Sequence, residues 1–190
     1  MDGLGNKYLA DNGAIRRMDA SGLVADFAPS VLASTLAADT SGNVFALDTS
    51  IGTIRRITSA GLVTNLATVN NADTLAVDGA GVLYIATRDT QIFKLTPDNV
   101  VKPFAGKPGS YGSFADGMGT AVSFGGLTGI AVDSESPVYV ADYHNQAVRR
   151  ISPAGQVTTL ARGGFSPEVS RPKARQPCST GWACGRLVAP

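Results

Sequence analysis

The sequence predicts an all-β protein built from four similar sheet units, and three observations lead to that prediction. An Asp lies six residues before an aromatic residue at four places along the chain. After each pair comes a turn residue, and an Ala follows that turn at a constant distance of six positions. No stretch keeps a helical period over about ten residues. The residues concerned are Asp2/Tyr8, Asp39/Phe45, Asp78/Tyr84 and Asp133/Tyr139, then Gly22/Ala28, Gly61/Ala67, Asn99/Ala105 and Gly155/Ala161.

Each unit is predicted to contain four short strands, which are clearest in the last copy. The first strand is a brief apolar run that suits burial on both faces, and the second is rich in β-branched and aromatic residues. A polar loop at 142–145 separates the second strand from the third, whose residues alternate between the two faces. A tight turn at 153–155 leads to the fourth strand. The predicted strands of this copy are 129–132, 138–141, 148–151 and 157–160.

Four-stranded units repeated roughly every 40 residues are typical of the blades of a β-propeller. A single unit leaves both sheet faces open, and stacked neighbours cover them, which explains why the chain repeats its pattern. Complete units are predicted near residues 31–67, 72–105 and 127–161. Residues 2–28 should form three strands of a further unit that lacks its innermost strand. At the turn where the other copies have Gly, Asn99 is expected to adopt a left-handed conformation.

Several segments resemble the repeats of the NHL family. Residues 129–161, GIAVDSESPVYVADYHNQAVRRISPAGQVTTLA, resemble an NHL repeat, and residues 8–28 and 46–67 are similar but weaker copies. Residues 104–129, FAGKPGSYGSFADGMGTAVSFGGLTG, are similar to the long Gly-rich connection between blades in bacterial members. The resemblance covers residues 2–161 and implies a β-propeller fold.

The number of copies departs from the family pattern. NHL propellers usually have six blades, whereas this sequence contains about four, and the first is incomplete. The resemblance therefore implies a partial propeller with an open sheet face at each end. Because uncovered apolar sheet faces favour association, self-association through the open blade faces is expected.

Paired arginines occur at matching positions in three units. A ring of cations for an anionic ligand is one interpretation, but alternate residues of a strand face opposite ways, so one Arg of each pair can instead reach a carboxylate of its own blade. Asp48 and Asp142 are the candidate carboxylates. The third copy has Phe93 and Lys94 at these positions and Thr87 in place of the strand-end Asp, which favours pairing between the two charges. The pairs are Arg16/Arg17, Arg55/Arg56 and Arg149/Arg150, and Arg55 and Arg149 are assigned this structural role.

The repeated carboxylates are interpreted as structural rather than catalytic. Paired carboxylates suit acid–base chemistry, but a side chain repeated in every copy more readily caps the first turn of each blade. The residues are Asp39, Asp78 and Asp133. His144 is the only histidine, so a metal site with several histidines is excluded within this chain. The activity of amidating lyases with NHL-type propellers, which requires such a site, is therefore not carried over.

The loops at one rim of an NHL propeller form a broad surface, and many family members bind proteins there. The corresponding candidates in this sequence are Arg88 in the third copy and Tyr143, His144 and Asn145 in the fourth. The structural interpretation of His144 is a solvated loop residue.

Residues 117–121, GMGTA, have the glycine spacing of a phosphate loop. They lack the Lys-Ser/Thr of a P-loop and the strand-then-helix context. We therefore interpret them as part of a flexible connection between blades, with Phe114 and Phe124 expected to hold its ends.

Three classes of function remain in view. The first is a non-catalytic scaffold that binds a protein or small ligand, with no catalytic residue, metal ligand or cofactor predicted. The second is a fragment of a propeller enzyme of the lactonase or amidating-lyase type, which needs non-repeating polar residues at the inner strand ends, where this sequence shows mostly the repeated pattern. The third is RNA binding, which needs a basic rim. Residues 1–161 hold eleven basic and fourteen acidic residues, a net charge of −3, which argues against nucleic acid.

The sequence leaves the compartment open. No apolar run approaches the ~20 residues of a membrane helix. The first residues, MDGLGNKYLAD, show no signal peptide, although bacterial members of the family are often extracytoplasmic.

Residues 162–190 break the pattern and carry a net charge of +4. One interpretation is an irregular basic tail, and another is that residues 186–189 supply the innermost strand missing from the first blade. The third is a frame shift, because one allowed set of codons for residues 182–190, read in the neighbouring frame, gives GGLVADSSP, which resembles residues 129–137. The propeller region is accordingly taken as 1–161.

Overall fold

The computed structural model describes residues 1–11, 13–133 and 135–163, which form sixteen strands and one short 3₁₀ turn. The strands group into four sheets, here named blades 1 to 4. Blade 1 contains β1 (Lys7–Asp11), β2 (Ala14–Met18) and β3 (Val24–Pro29), and blade 2 contains β4 (Thr35–Ala38), β5 (Val44–Asp48), β6 (Thr53–Ile57) and β7 (Val63–Thr68). Blade 3 contains β8 (Ala72–Val77), β9 (Leu83–Thr87), β10 (Ile92–Leu95) and β11 (Val101–Ala105). Blade 4 contains β12 (Gly117–Met118), β13 (Leu127–Val132), β14 (Val138–Asp142), β15 (Ala147–Ile151) and β16 (Gln156–Arg162), and the 3₁₀ turn is Gly119–Ala121.

Consecutive strands within each blade pair antiparallel, so each blade is built on a meander of hairpins. This confirms the predicted all-β fold with three complete four-stranded units and one three-stranded unit. Asn99 has a φ of 63°, as the pattern of the other copies predicts. Blade 4 contains one strand more than expected, because β12 pairs with the outer strand β16 through Gly117↔Val157 and Met118↔Gln156. The connection before blade 4 is therefore partly β-structure, which the sequence did not indicate.

Apolar side chains on facing sheets form the core. We call the face that a blade turns to the preceding blade its leading face, and the opposite one its trailing face. Between blades 1 and 2, Ile15 and Ala28 of the trailing face pack with Val44, Ala46 and Ile57 of the leading face. Two equivalent clusters lie between blades 2 and 3 and between blades 3 and 4. Stacking of sheets thus supplies the burial that one sheet alone cannot provide.

One position on the third strand shows how the trailing faces differ. Ile15, Ile54 and Ile92 are fully buried, because the next blade covers each of them. Val148 holds the same position in blade 4, and 42% of it is exposed. Leu160 on the neighbouring strand is 54% exposed. No described residue covers the trailing face of blade 4, which is a surface of the type that the other blades bury.

We expect the trailing face of blade 4 to drive self-association. Val148→Lys is expected to increase the fraction of monomer, because burying the lysine charge in an apolar contact costs free energy. Light scattering coupled to size exclusion measures the change. Leu62→Lys is the control, since Leu62 is an equally apolar, exposed turn residue away from this face. A wild-type chain that runs as a monodisperse monomer and melts cooperatively would contradict the expectation.

No helix among the described residues is long and apolar enough to cross a membrane. The three interpretations of residues 162–190 depend on residues from 164 onward, which lie outside the described part of the chain. They stay predictions.

Candidate functional site

Antiparallel hairpins place two sets of turns at opposite ends of each blade. The turns between second and third strands lie with the connections between blades at one rim, called here the upper rim. The other turns lie at the lower rim. The candidates Arg88, Tyr143, His144 and Asn145 all belong to second-to-third strand turns, so the fold brings them to the upper rim.

The turn of blade 4 is organised around the carboxylate of Asp142, which is fully buried at the end of β14. Its Oδ1 accepts the backbone N–H of Gly125 at 2.7 Å and that of Gly126 at 3.3 Å. Its Oδ2 accepts Nη1 of Arg149 at 3.0 Å and Nδ2 of Asn145 at 2.9 Å. Four donors on two oxygens offset the cost of burying this charge.

The partner of that carboxylate, Arg149, is also fully buried. Its guanidinium carbon lies 4.5 Å from the ring centroid of Phe114 and 5.2 Å from that of Phe124. Its Nη2 donates to Asp116 at 2.5 Å and to the carbonyl of Ala115 at 2.8 Å. The connection between blades therefore folds over Arg149 and supplies its second carboxylate.

Asp116 also accepts hydrogen bonds from the hydroxyl and the backbone N–H of Thr159 on β16. Partial burial alone would raise the pKa of Asp116, but the hydrogen bonds from Arg149 and Thr159 hold it below its ordinary value. Asp116 is thus ionised at neutral pH and joins the connection to two strands of blade 4.

The equivalent arginine pairs differently in each of the other blades. In blade 1, Arg16 contacts Asp11 at 3.5 Å and Asp26 at 3.2 Å, and all three side chains are about half exposed. In blade 3, Phe93 occupies the position and packs in the core between blades. Arg16 and Arg149 are thus each engaged by two carboxylates of the described chain, exposed in blade 1 and largely buried in blade 4.

The expected pair between Arg55 and Asp48 is not formed. Arg55 instead donates from Nε to Asn65 at 3.2 Å and from Nη1 to the carbonyl of Leu32 at 3.4 Å. Asp48 accepts the hydroxyl and backbone N–H of Ser50 within its own turn. The reason is that Asn65 lies across the sheet from Arg55 and satisfies the guanidinium locally.

The three repeated carboxylates lie in lower-rim turns. One oxygen of each accepts backbone N–H groups of its own turn, from Ser41 and Asn43 at Asp39, from Ala80 and Val82 at Asp78, and from Glu135 at Asp133.

The six-residue offset also has a physical basis. The second oxygen of the carboxylate accepts a tyrosine hydroxyl from the next strand in Asp2–Tyr8, Asp78–Tyr84 and Asp133–Tyr139, at 2.7, 3.3 and 2.9 Å. Burial and the neighbouring carboxylate raise the pKa of Tyr8 and of Tyr84 to about 12.

Two of the rim candidates, Tyr143 and His144, are exposed and in contact with each other. Tyr143 is 65% exposed, and its ring meets the His144 ring edge-on at a centroid distance of 5.2 Å. The backbone N–H of Tyr143 donates to the carbonyl of Gly126 at 2.7 Å. The His144 ring lies so close to Gly126 that an added Cβ there would be 2.6 Å from Cδ2. The turn thus presents both rings at the surface, with the His144 ring packed against Gly126.

Asn145 is buried, and it serves the turn itself. Besides Asp142, its amide donates to the carbonyl of Ser113 at 2.8 Å. This contact attaches the connection between blades to the turn of blade 4.

Arg88 lies on the other side of the same connection. Its Nε contacts Asp73 at 2.8 Å, and its carbonyl accepts the hydroxyl of Tyr111. Tyr111 is 56% exposed and only two residues from Ser113, which contacts Asn145. Arg88, Tyr111, Tyr143 and His144 are all exposed residues of the upper rim, and they are called here the upper-rim patch.

Sequence reasoning missed Tyr111 and Asp116. Both lie in the Gly-rich connection, which matches no repeat position, so no pattern marked them. An aromatic and an acid within a glycine-rich connection were the available signals. Among the described residues, no group of three His, Cys, Asp or Glu is arranged to hold a metal ion.

No protein-family model matches this chain, and no curated protein does. Solved structures do match. A structural genomics protein of unknown function from Bacteroides thetaiotaomicron is 15% identical, with a TM-score of 0.67 over 83% of this chain and 45% of its own. An auxiliary nutrient binding protein from Bacteroides ovatus is 19% identical, with a TM-score of 0.64 over 82% of this chain and 43% of its own. A streptogramin B lyase is 17% identical, with a TM-score of 0.61 over 82% of this chain and 50% of its own.

These neighbours are β-propellers, and the similarity shows that this chain has the same fold. At such low identity the fold is all that it shows. The chain spans between 43% and 50% of the length of these three structures.

Proposed function

We propose that this chain is a non-catalytic binding scaffold of NHL-type blades, and that it takes a protein or small ligand at the upper-rim patch. One observation carries the proposal: the rings of Tyr111, Tyr143 and His144 are all exposed at the upper rim, as is Arg88. Exposed aromatic residues and arginine are the side chains that most often dominate binding energy at interfaces.

The buried polar groups near the patch support a scaffold rather than an enzyme. Asp142 and Asn145 are buried, and their oxygens and amide are engaged within the blade. Asp116 is half exposed, but both of its oxygens already accept hydrogen bonds from Arg149 and Thr159. Arg149 is enclosed by two rings and two carboxylates. These groups hold the turns in place and leave recognition to the exposed rings.

A fragment of a propeller enzyme is the second candidate. The observation in its favour is the structural likeness to a streptogramin B lyase, while the likeness to a nutrient binding protein favours binding without chemistry. The two candidates differ in whether a bound ligand is chemically changed.

The test is a screen of the immobilised full chain against arrays of peptides and oligosaccharides, followed by affinity measurements on variants. Tyr143→Ser is expected to weaken a captured ligand by about tenfold or more, since a central aromatic contact is worth ~2 kcal/mol. Leu62→Ser is the matched control, because Leu62 is exposed to 66% against 65% for Tyr143 but lies in a lower-rim turn.

A ligand whose affinity is the same in the Tyr143→Ser and Leu62→Ser variants would contradict binding at the upper-rim patch. Mass spectrometry of the bound ligand after incubation distinguishes the two candidates. A covalent change that depends on the protein would support the enzyme fragment, and recovery of intact ligand would support the scaffold.

A further inference from the structure

A groove of about 140 Å³ lies at the lower rim, between blades 2 and 3. Phe45, Leu66 and Leu83 provide apolar wall, while polar groups come from Arg56, Asn43, Asn99 and the carboxylate of Asp39. We call it the lower-rim groove. It is on the opposite side of the blades from the upper-rim patch.

The two neighbouring blade interfaces show what normally fills this place. Between blades 1 and 2, Tyr8 packs on Phe27 with ring centroids 5.1 Å apart and an interplanar angle of 57°. The guanidinium of Arg17 lies over the Phe27 ring at 5.9 Å. A tyrosine, a phenylalanine and a cation thus form one packed group.

The same group recurs between blades 3 and 4. Tyr84 and Phe104 have centroids 5.4 Å apart and again an angle of 57°. Nζ of Lys94 lies 3.9 Å from the Phe104 centroid and 5.1 Å from that of Tyr84. The repeat therefore uses two rings and a cation to close the lower rim between blades.

Between blades 2 and 3 this group is incomplete. The repeated Ala of the fourth strand aligns the three blades. The residue before it is Phe27 in blade 1 and Phe104 in blade 3, but Leu66 in blade 2, so blade 2 lacks this ring. Arg56 occupies the position of Arg17, and it has no ring, hydrogen-bond or ion-pair partner among the described residues. The groove is the space left by the missing phenyl ring, with an unpaired guanidinium at its wall.

The carboxylate of the turn is also rearranged here. Phe45 replaces the tyrosine of the other two interfaces, so no hydroxyl reaches Asp39. Nδ2 of Asn43 takes that place at 2.7 Å, and the other oxygen accepts two backbone N–H groups. Asp39 is thereby engaged within its own turn and leaves Arg56 without a counter-ion.

The size of the groove sets the size of an occupant. An engineered protein cavity of ~150 Å³ lined by apolar side chains takes one benzene molecule. A groove of this volume therefore accepts one six-membered ring, and an anion on that ring would reach Arg56. Guanidinium groups bind carboxylates through paired, charge-assisted hydrogen bonds.

We propose that the lower-rim groove binds a small aromatic carboxylate, with the ring in the space of the missing phenylalanine and the carboxylate on Arg56. The ring restores the stack that the other interfaces make from their own side chains. The amide of Asn99 also lines the groove and can donate to the same carboxylate. This site is independent of the proposed function at the upper rim.

The experiment uses 4-fluorobenzoate with the full chain, observed through broadening of its ¹⁹F NMR signal, which works for monomers and oligomers alike. We expect saturable binding with a Kd on the order of 1 mM, the range for a ligand of this size. Unlabelled benzoate is expected to displace the probe. Benzamide, its neutral isostere, should compete at least about tenfold more weakly, because it cannot form the charge-assisted hydrogen bonds that a carboxylate makes with a guanidinium.

Variants locate the binding. Leu66→Phe restores the ring found in the other blades and is expected to abolish binding while keeping or raising the melting temperature. Arg56→Gln is expected to weaken binding by about tenfold, and Arg17→Gln, the equivalent change at the filled interface, should leave it unaltered. Tyr143→Ser should also leave it unaltered, which separates this site from the upper-rim patch.

Two results would overturn the proposal. One is the absence of saturable broadening with the folded wild-type chain. The other is a wild-type affinity for the probe in both the Leu66→Phe and the Arg56→Gln variant, which would place the probe elsewhere. Thermal melts followed by circular dichroism show whether a variant that loses binding has also lost its fold. Because the Arg56 side chain is exposed, Arg56→Gln is expected to fold even if Leu66→Phe does not.

Discussion

Replacing Asp142 with Ala is expected to lower the free energy of unfolding by about 3 kcal/mol, because it removes the fully buried counter-ion of Arg149 and leaves the guanidinium only the half-exposed carboxylate of Asp116. The two side chains are completely inaccessible to solvent and 3.0 Å apart. The change also removes the acceptor for two backbone N–H groups of the connection before blade 4. Chemical denaturation followed by circular dichroism measures the loss.

The chain contains its own control for this prediction. Asp11→Ala removes the equivalent carboxylate of blade 1, where Asp11 and Arg16 are exposed, and it should cost less than about 1 kcal/mol. The double variant Asp142→Ala, Arg149→Met should lose less than the sum of its single changes, because no charge is left buried. Equal losses for Asp142→Ala and Asp11→Ala would show that burial of the pair does not determine its contribution.

Replacing Gly106 with Ala is expected to destabilise the fold by about 3 kcal/mol or more, the range of a clash with buried backbone. A Cβ at this position would lie 2.2 Å from the carbonyl oxygen of Thr90 and 3.2 Å from Cδ2 of Phe124. The residue also has a φ of 95°, which only Gly adopts without strain.

Gly22→Ala separates the cost of the steric clash from the cost of the backbone strain. Gly22 has a φ of 91°, and no atom lies within 4 Å of an added Cβ. Its replacement should therefore cost only the backbone strain, about 1–2 kcal/mol. Denaturation curves for both variants compare them directly. If the two variants lose the same stability, the close approach at Gly106 is relieved by a shift of the Thr90 turn.

The sequence predicted the blades because the interactions that define each blade join residues close together in the chain. In three of the four copies the Asp-to-aromatic offset reflects a hydrogen bond within one hairpin, as Tyr8 with Asp2 shows. The turn residue before the fourth strand likewise depends only on its own conformation, and Asn99 could be recognised for that reason. Features of this kind are readable from spacing alone.

The features that sequence reasoning missed depend on contacts between distant residues. Arg149 is satisfied by Asp116, 33 positions earlier in the chain, and no spacing rule connects them. Arg55 pairs with Asn65 because of the register between β6 and β7, which the sequence does not specify to one residue. The lower-rim groove arises because Leu66 replaces a ring in one copy, and its effect appears only when two blades are stacked.

The pairing of β12 with β16 has a consequence for the order in which the chain folds. Every other strand pair joins neighbours in sequence, so blades 1 to 3 can form while later residues are still absent. β12 and its partner β16 lie roughly 40 residues apart in the sequence, and closing a loop of that length carries an entropic cost. We expect the connection to be captured last, after the β13–β16 meander has formed, so the kinetics of refolding should end in a slower step that is reported by the surroundings of Phe114.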